Sequence, residues 1–238
     1  EEQITPRTRA ILPVHIYGHP CDMDPILEIA ATHKLAVLED AAHAFTAAYK
    51  GKQIGTLGDL TAFSFYATKN ITTAEGGMLS GSSDLIEEAR LWSLHGMSRD
   101  SWTRYAEEGS WYYEVIRPGY KCNMTDIQAA IGIHQLRKVD AFQKVRRKIA
   151  ETYTAAFADL KEIEAPTEAE DVNSAWHLYP IRLNLDMLAI DRSQFIEELK
   201  KCNIGSSVHF IPLHIQPYYR DKYGYAPEDY PVAYTEDH

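Results

Sequence analysis

The order of apolar and polar positions in the first 95 residues is typical of strands alternating with helices. Two short apolar runs, residues 10–15 and 35–38, predict strands. Between them, residues 26–33 show apolar positions at helical spacing, and Asp22 or Asp24 can cap this helix. Because strands that are apolar throughout are buried on both faces, the pattern favours a parallel sheet covered by helices.

The same alternation continues up to residue 94. Residues 60–65 predict a third strand, and residues 76–80 predict a strand that returns beside it. Residues 84–94 predict an amphipathic helix, with Ser82 or Ser83 as its cap.

The second half of the chain predicts a change of architecture. Residues 97–120 are rich in Gly, Ser, Trp and Tyr without a clear period, which indicates a long functional loop. A helical pattern then runs from 125 to 157, and one helix of that length would be about 45 Å long. Further on, a strand, a helix and a strand are predicted over residues 176–183, 193–202 and 208–211. We therefore expect a large domain over 1–140 and a smaller α+β domain over 141–238, joined by the long helix near 125–157.

Composition narrows the class of protein. The 238 residues are 45% hydrophobic and carry a net charge of −10, which argues against nucleic-acid and anionic-membrane partners. Cys21, Cys122 and Cys202 form no CxxC pair, as expected for reduced thiols in a cytoplasmic protein. No apolar run is long enough to cross a bilayer, and no stretch resembles a signal peptide. Because the chain starts at Glu1 and stops at His238 without a closing element, we expect it to be an internal portion of a longer chain.

The candidate chemistry lies where two predicted strands end. Asp40 ends one apolar run, and Lys69 lies in the polar segment 64–70 after another. A lysine amine and a carboxylate are what an enzyme using pyridoxal 5'-phosphate (PLP) needs, one for the Schiff base and one to protonate the pyridine nitrogen. The lysine must be neutral to attack an aldehyde, so we expect its pKa to be lowered. The alternatives are a solvated surface lysine and a strand-end carboxylate.

Several motifs in order resemble the DegT–StrS family of nucleotide-sugar aminotransferases, over nearly the whole chain. They comprise residues 14–18 (VHIYG), 39–43 (EDAAH), 63–70 (FSFYATKN), 71–77 (ITTAEGG), 119–130 (GYKCNMTDIQAA), 176–178 (WHL) and 209–214 (HFIPLH). The resemblance implies an α/β protein of PLP fold type I, like aspartate aminotransferase, with a mostly parallel sheet in the large domain. The same resemblance implies that the chain is incomplete at both ends, without the family's N-terminal phosphate loop and stacking aromatic.

The resemblance also implies residue roles. Lys69 matches the lysine that forms the internal aldimine, and Asp40 matches the carboxylate on the pyridine nitrogen. His43 matches a position near the cofactor ring and its 3-hydroxyl, and Ser64 a hydroxyl on the cofactor phosphate. Asn123 matches a residue that reaches the phosphate of the neighbouring subunit, which implies a homodimer with shared active sites.

Structural alternatives remain open for three of these residues. His43 can be a satisfied structural histidine, Ser64 a turn hydroxyl, and Asn123 a helix-entry cap beside Thr125.

Histidines and aromatics outside these motifs add candidates for substrate binding. His177, His209 and His214 suggest a metal, but no carboxylates stand at ligand spacing, so we expect none. The resemblance instead places His209 and His214 near the sugar-nucleotide site. Tyr120 and Lys121 suit a sugar ring and a diphosphate, although packing across a dimer interface explains them equally well. The same two explanations apply to Tyr112, Tyr113 and Arg117.

The function implied by the resemblance is transfer of an amino group, from L-glutamate, to a keto carbon of a nucleotide-linked sugar. Residues 71–77 look most like enzymes that aminate C4 of a UDP-linked 4-keto sugar, in amino-sugar biosynthesis for cell-surface glycan, lipopolysaccharide or antibiotic. One alternative is a PLP-dependent sugar dehydratase, whose relatives carry His where Lys69 stands. Another is a non-catalytic binding or regulatory relative, which the intact Asp40, Ser64 and Lys69 disfavour.

Overall fold

The computed structural model describes residues 1–98 and 112–237, which form two compact units. The first unit comprises residues 1–156 and 166–179, and the second comprises the remaining described residues. Of the predicted loop at 97–120, residues 99–111 lie outside the described residues.

The first unit is built on a four-stranded sheet that agrees with the strand predictions. Its strands are β1 (Ala10–Ile11), β2 (Ala36–Asp40), β5 (Leu60–Ser64) and β6 (Gly77–Gly81), in the order β1-β2-β5-β6. The first three are parallel, and β6 returns antiparallel to β5. β1 is shorter than the predicted run because Pro13 has no N–H to donate, although its carbonyl accepts the Asp40 N–H at 2.9 Å.

A second, smaller sheet in the same unit joins distant parts of the chain. It contains β3 (Ala48–Tyr49), β4 (Lys52–Gln53) and β8 (Val172–Asn173) in the order β4-β3-β8, with both pairings antiparallel. Residues 174–179, which follow β8, therefore belong to the first unit.

The helices of the first unit also follow the sequence, with one exception. α1 (Met23–His33) begins after Asp22 and α2 (Ser83–Ser93) after Ser82, as predicted. The single helix expected over 125–157 is wrong, because the chain forms α3 (Asp126–Leu136) and α4 (Val139–Phe157) with a turn between them. Val139 and Phe142, just after this turn, pack against the core, a tertiary contact that helical periodicity does not reveal.

The core of the first unit gathers apolar residues from the sheet, from α1 and from the loops that follow the strands. The edge of the Phe45 ring meets Phe63 and Phe65, with centroids 5.5 Å and 5.7 Å apart. Val37 and Phe63 are buried on the central strands β2 and β5. The strands that lead to Asp40 and Lys69 are therefore packed against the core.

The second unit is smaller and less regular than the sequence predicts. Its elements are β7 (Ile163–Glu164), β9 (Arg182–Leu183), α5 (Arg192–Lys201), α6 (Pro217–Tyr223) and α7 (Pro231–Asp237). The helix predicted at 193–202 is confirmed as α5. The strand predicted at 176–183 is wrong except for its last two residues, since residues 174–178 bond to Tyr17 and Gly18 instead. The strand predicted at 208–211 is also wrong, because no described strand pairs with this exposed run.

Among the described residues, no helix is both long and apolar enough to cross a membrane.

Candidate active site

Asp40 and Lys69 lie at one edge of the main sheet. Asp40 is the last residue of β2, and Ser64 is the last residue of β5. The two strands are parallel and Asp40 pairs in register with Ala62, so both strands end on the same side. Lys69 follows in a turn in which its N–H donates to the Tyr66 carbonyl at 3.0 Å. The carboxyl ends of neighbouring parallel strands are where α/β sheets bind ligands.

The Lys69 amine has the electrostatic setting that the sequence predicts. Burial lowers the pKa of the half-buried Lys69 amine, and the negative charge of Asp40 acts in the opposite direction. The net pKa is lowered, so a larger fraction of this amine is neutral than for a surface lysine. Lys69 is partly buried, and its role as the Schiff-base lysine stays a prediction.

The Asp40 carboxylate is oriented by its own backbone. Its Oδ1 accepts the Ala42 N–H at 3.0 Å, which closes a turn directly after β2. The Asp40 carbonyl accepts the His15 N–H at 3.0 Å. Strand pairing thus holds the backbone of Asp40, and a turn bond holds its side chain.

A buried polar cluster supports Asp40 from the adjacent residue of β2. Glu39 Oε1 accepts the Gly58 N–H and the Thr61 hydroxyl, both at 2.8 Å. His15 Nδ1 accepts the Cys21 N–H at 3.0 Å, so the ring proton lies on Nε2, which donates to Glu39 Oε2 at 2.9 Å. The side chains of His15 and Glu39 are fully buried, and each polar atom of this pair has a partner.

His43 is held by a chain of contacts beside the Lys69 turn. Its Nδ1 accepts the Tyr17 N–H at 3.2 Å, and its ring lies 4.4 Å from the ring of His177, centroid to centroid. His177 Nδ1 bonds to Asn70 Oδ1 at 3.0 Å, and Asn70 Nδ2 donates to the Ala175 carbonyl at 2.8 Å. Asn70 directly follows Lys69, so this chain connects His43 to the Lys69 turn.

Gly18 allows the close approach on which this arrangement depends. Its φ is +99°, and an added Cβ would lie 3.0 Å from three backbone atoms, the His177 N, the His43 O and the Trp176 N. Only glycine combines this conformation with this proximity. Arg146 also holds the backbone at Trp176 and His177, because its Nη1 donates to their carbonyls at 3.4 Å and 3.2 Å.

Ser64 combines a turn role with a free donor proton. Its Oγ accepts the Tyr66 N–H at 3.3 Å, as the turn-hydroxyl alternative expects. The hydroxyl accepts this bond through a lone pair, so its O–H proton can still be donated to a ligand. Its phosphate-binding role stays a prediction.

The predicted substrate residues before α3 are exposed. Tyr120 is 68% exposed, and Lys121 Nζ donates to Asn123 Oδ1 at 2.9 Å. Thr125, and not Asn123, caps α3, in a reciprocal pair of bonds with Gln128. The helix-cap alternative for Asn123 is therefore wrong, and its role toward a neighbouring subunit stays a prediction.

The three histidines considered for a metal are distributed over the two units. His177 belongs to the first unit, whereas His209 and His214 belong to the second. The His214 ring is buried and lies 5.0 Å from the Tyr230 ring. Within residues 1–98 and 112–237, no cluster of three or more His, Cys, Asp or Glu side chains is placed to hold a metal ion.

Sequence reasoning missed Asn70 and the His15–Glu39 pair, and it assigned no part to Tyr17. The signal for Asn70 is its place beside Lys69 in a turn, where a side chain that bonds to distant backbone would fix the lysine. Partners 105 and 107 residues away could not be foreseen from that place.

Comparison with known proteins gives consistent matches along the chain. A model of the DegT/DnrJ/EryC1/StrS aminotransferase family matches residues 1–236. The uncharacterized protein MJ1066 of Methanocaldococcus jannaschii is 58% identical over 234 residues, which cover 98% of this chain and 61% of that protein. The spore coat polysaccharide biosynthesis protein SpsC of Bacillus subtilis is 52% identical over 235 residues, which cover 98% of this chain and 60% of that protein.

A solved structure also matches nearly the whole chain. The PLP form of the putative sugar aminotransferase Spr1654 from Streptococcus pneumoniae has a TM-score of 0.88 and 32% identity, covering 99% of this chain and 63% of that one. This likeness confirms the expected α/β class and PLP fold type I. The chain spans roughly three fifths of the length of each of these relatives.

Proposed function

The chain belongs to the DegT/DnrJ/EryC1/StrS aminotransferase family, and from this premise we propose that its full-length protein is a PLP-dependent sugar aminotransferase. The observation that carries the proposal is the pair formed by Lys69 and Asp40. An amine with a lowered pKa and a carboxylate lie at the carboxyl ends of neighbouring parallel strands, close enough for the Asp40 charge to act on the amine.

The residues at this edge suit the cofactor by their chemistry. Lys69 would hold the cofactor's aldehyde carbon, Asp40 its pyridine nitrogen, and Ser64 its phosphate, while His43 would lie near the ring and its 3-hydroxyl. When bound, PLP supplies an electron sink for a carbanion at the substrate carbon. The charge of Asp40 would favour the protonated form of the ring nitrogen, and Lys69 would move a proton to or from the reacting carbon as a general base and acid.

The finer features of the reaction are part of the same proposal. The amino donor is L-glutamate, and the acceptor is a keto carbon of a nucleotide-linked sugar, in cytoplasmic synthesis of an amino sugar. SpsC, a relative in polysaccharide biosynthesis, supports a sugar destined for a cell-surface polymer. Lys69 speaks against the dehydratase alternative, which needs His at this position.

A homodimer with shared active sites completes the proposal. The first turns of α3 carry exposed apolar side chains, with Ile127 77% and Ile131 41% exposed. Asn123 and Lys121 stand exposed just before this helix, where they could reach a phosphate held by a neighbouring subunit. Light scattering of the full-length protein tests the dimer, and a monomer that binds PLP with unchanged affinity would contradict the sharing of sites.

The cofactor assignment is tested by visible absorbance of the full-length protein with PLP. We expect the band of a lysine-linked cofactor in the wild type and its loss in Lys69→Ala, whereas Lys34→Ala, which changes an exposed lysine, keeps it. A band that persists in Lys69→Ala would refute the role of Lys69. Incubation with glutamate and a panel of keto-sugar nucleotides then identifies the acceptor, and a 3-deoxy product in place of an amino sugar would favour the dehydratase.

A further inference from the structure

The protonation states of the two neighbouring histidines, His43 and His177, follow from their hydrogen bonds. Tyr17 offers a backbone N–H, which can only donate, so His43 Nδ1 must accept and carries no proton. The His43 proton therefore lies on Nε2. A doubly protonated His43 would turn Nδ1–H against the Tyr17 N–H, so this contact also keeps the ring neutral.

The opposite state is imposed on His177. The Ala175 carbonyl can only accept, so Asn70 must turn its NH₂ group toward Ala175 and its Oδ1 toward His177. Oδ1 can only accept as well, so His177 Nδ1 carries a proton. Asn70 and His177 are both at least nine-tenths buried, and their bonds at 2.8 Å and 3.0 Å are shielded from water.

The backbone around these rings is shaped to hold them. Tyr17 adopts a left-handed conformation, with φ of 59°, which is costly for a residue with a Cβ. In this conformation the Tyr17 backbone N–H donates to His43 Nδ1, and the Tyr17 carbonyl accepts the backbone N–H of His177 at 2.9 Å. One strained residue thus contacts both histidines of the pair.

We propose that Asn70 and His177 are positioning residues which, together with the backbone of Tyr17, hold His43 as a neutral Nε2–H donor. The Asn70–His177 bond fixes the orientation of the ring against which the His43 ring packs, and the Tyr17 backbone N–H fixes the His43 tautomer. Since Asn70 also follows Lys69, one side chain sets both the lysine turn and the histidine donor. The further step, in which the His43 Nε2–H donates to an acceptor on bound PLP, rests on the proposed function. In this arrangement His43 donates a hydrogen bond and does not act as a base.

The tautomers are measured in the cofactor-free full-length protein by long-range ¹H–¹⁵N correlation of histidine rings. His43 is assigned by the loss of its signals in His43→Gln, and His177 by their loss in His177→Phe. We expect an unprotonated Nδ1 and a protonated Nε2 for His43, and a protonated Nδ1 for His177. A protonated Nδ1 in His43, or an unprotonated Nδ1 in His177, overturns the proposal without reference to PLP or to activity.

The positioning role is measured by PLP affinity. Loss of one oriented hydrogen bond is worth roughly a tenfold change in affinity. We expect roughly tenfold weaker binding for Asn70→Ala, and no change for the exposed Asn184→Ala. His43→Gln, which places an amide N–H near the position of Nε2, should bind PLP roughly tenfold more tightly than His43→Asn, which places it near Nδ1. Equal binding by the two His43 variants would overturn the donor role.

Failure of this inference and failure of the proposed function are distinguishable. A wild-type protein that does not bind PLP would contradict the proposed function, while the tautomer measurement would still decide the state of both rings. If Asn70→Ala does not fold, His177→Phe retains an aromatic ring against His43 and removes the Nδ1–H donor to Asn70. We expect its PLP binding to fall, and unchanged binding would contradict the role of the Asn70–His177 bond.

Discussion

Replacement of Glu39 by Gln is expected to destabilise the protein because the carboxylate meets only donors. Oε1 accepts from Gly58 and Thr61, and Oε2 accepts from the His15 Nε2–H. A glutamine can keep its oxygen toward Gly58 and Thr61 only if its NH₂ faces the His15 N–H, donor against donor. The tautomer of His15 cannot adjust, because its Nδ1 already accepts the Cys21 N–H.

The magnitude follows from the number of bonds lost. One hydrogen bond to a charged group is worth about 1.5–3 kcal/mol, and a buried unsatisfied donor costs about 1–3 kcal/mol. Since these values overlap in part, we expect a loss of about 3 kcal/mol in the free energy of unfolding. With a denaturant slope of about 3 kcal/mol per M, the urea midpoint falls by about 1 M.

The assay is urea unfolding of full-length Glu39→Gln, with Glu28→Gln as the matched control. Glu28 lies exposed on α1, where the same substitution should change stability by no more than about 0.5 kcal/mol. If the two variants unfold at the same urea concentration, the reasoning about the buried cluster is refuted.

The pH dependence gives an independent check on Glu39. Burial alone would raise the pKa of the Glu39 carboxyl, but hydrogen bonds from His15, Gly58 and Thr61 outweigh it and lower this pKa. A lowered folded-state pKa means that the stabilisation is complete above the unfolded pKa of about 4.3 and is lost as pH falls through the folded value. The difference in stability between the wild type and Glu39→Gln should therefore narrow below about pH 4. A constant difference would contradict the assignment of the charge.

The remaining predictions concern the site itself. Asp40→Asn should lower kcat by roughly 10²–10³-fold, since breaking a buried pair costs about 3–5 kcal/mol, and unchanged steady-state kinetics would exclude the role of Asp40. Gly18→Ala should lower the unfolding free energy by about 2–3 kcal/mol, because its Cβ meets backbone at 3.0 Å. Gly51→Ala, where no atom lies within 4 Å, should lose only about 1 kcal/mol, and equal losses in thermal unfolding would disprove the steric argument. Trace acetylation of the cofactor-free protein should titrate Lys69 below its ordinary pKa of 10.5, because burial disfavours its charged form, and a midpoint at or above 10.5 would contradict the lowered pKa.

Local patterns predicted the scaffold of the site well. Apolar runs that end in polar residues marked β2 and β5, and the parallel sheet that they imply brings Asp40 and Ser64 to one edge. These elements were predictable because short continuous apolar runs that end in polar residues are typical of strands in a parallel sheet. The helix α1 followed from periodicity and begins after Asp22, although the Asp22 side chain makes no cap bond and accepts the Tyr49 hydroxyl instead.

Predictions failed where tertiary contacts override local preference. The helical pattern at 125–157 is interrupted by a turn, after which Val139 and Phe142 pack on the core. The apolar run at 208–211 has strand composition, but a strand needs a partner and none of the described strands pairs with it. Periodicity shows which side chains are apolar, but it does not show which residues they contact in the folded protein.

The sequence by itself identified the candidate groups, Asp40 and Lys69, because each lies after an apolar run and within motifs that resemble one family. Only the tertiary structure decided how these groups are tuned and held. The lowered pKa of Lys69 depends on burial, and the tautomer of His43 depends on a backbone N–H from Tyr17. Burial and hydrogen-bond direction arise between residues far apart in the chain, so no local pattern encodes them.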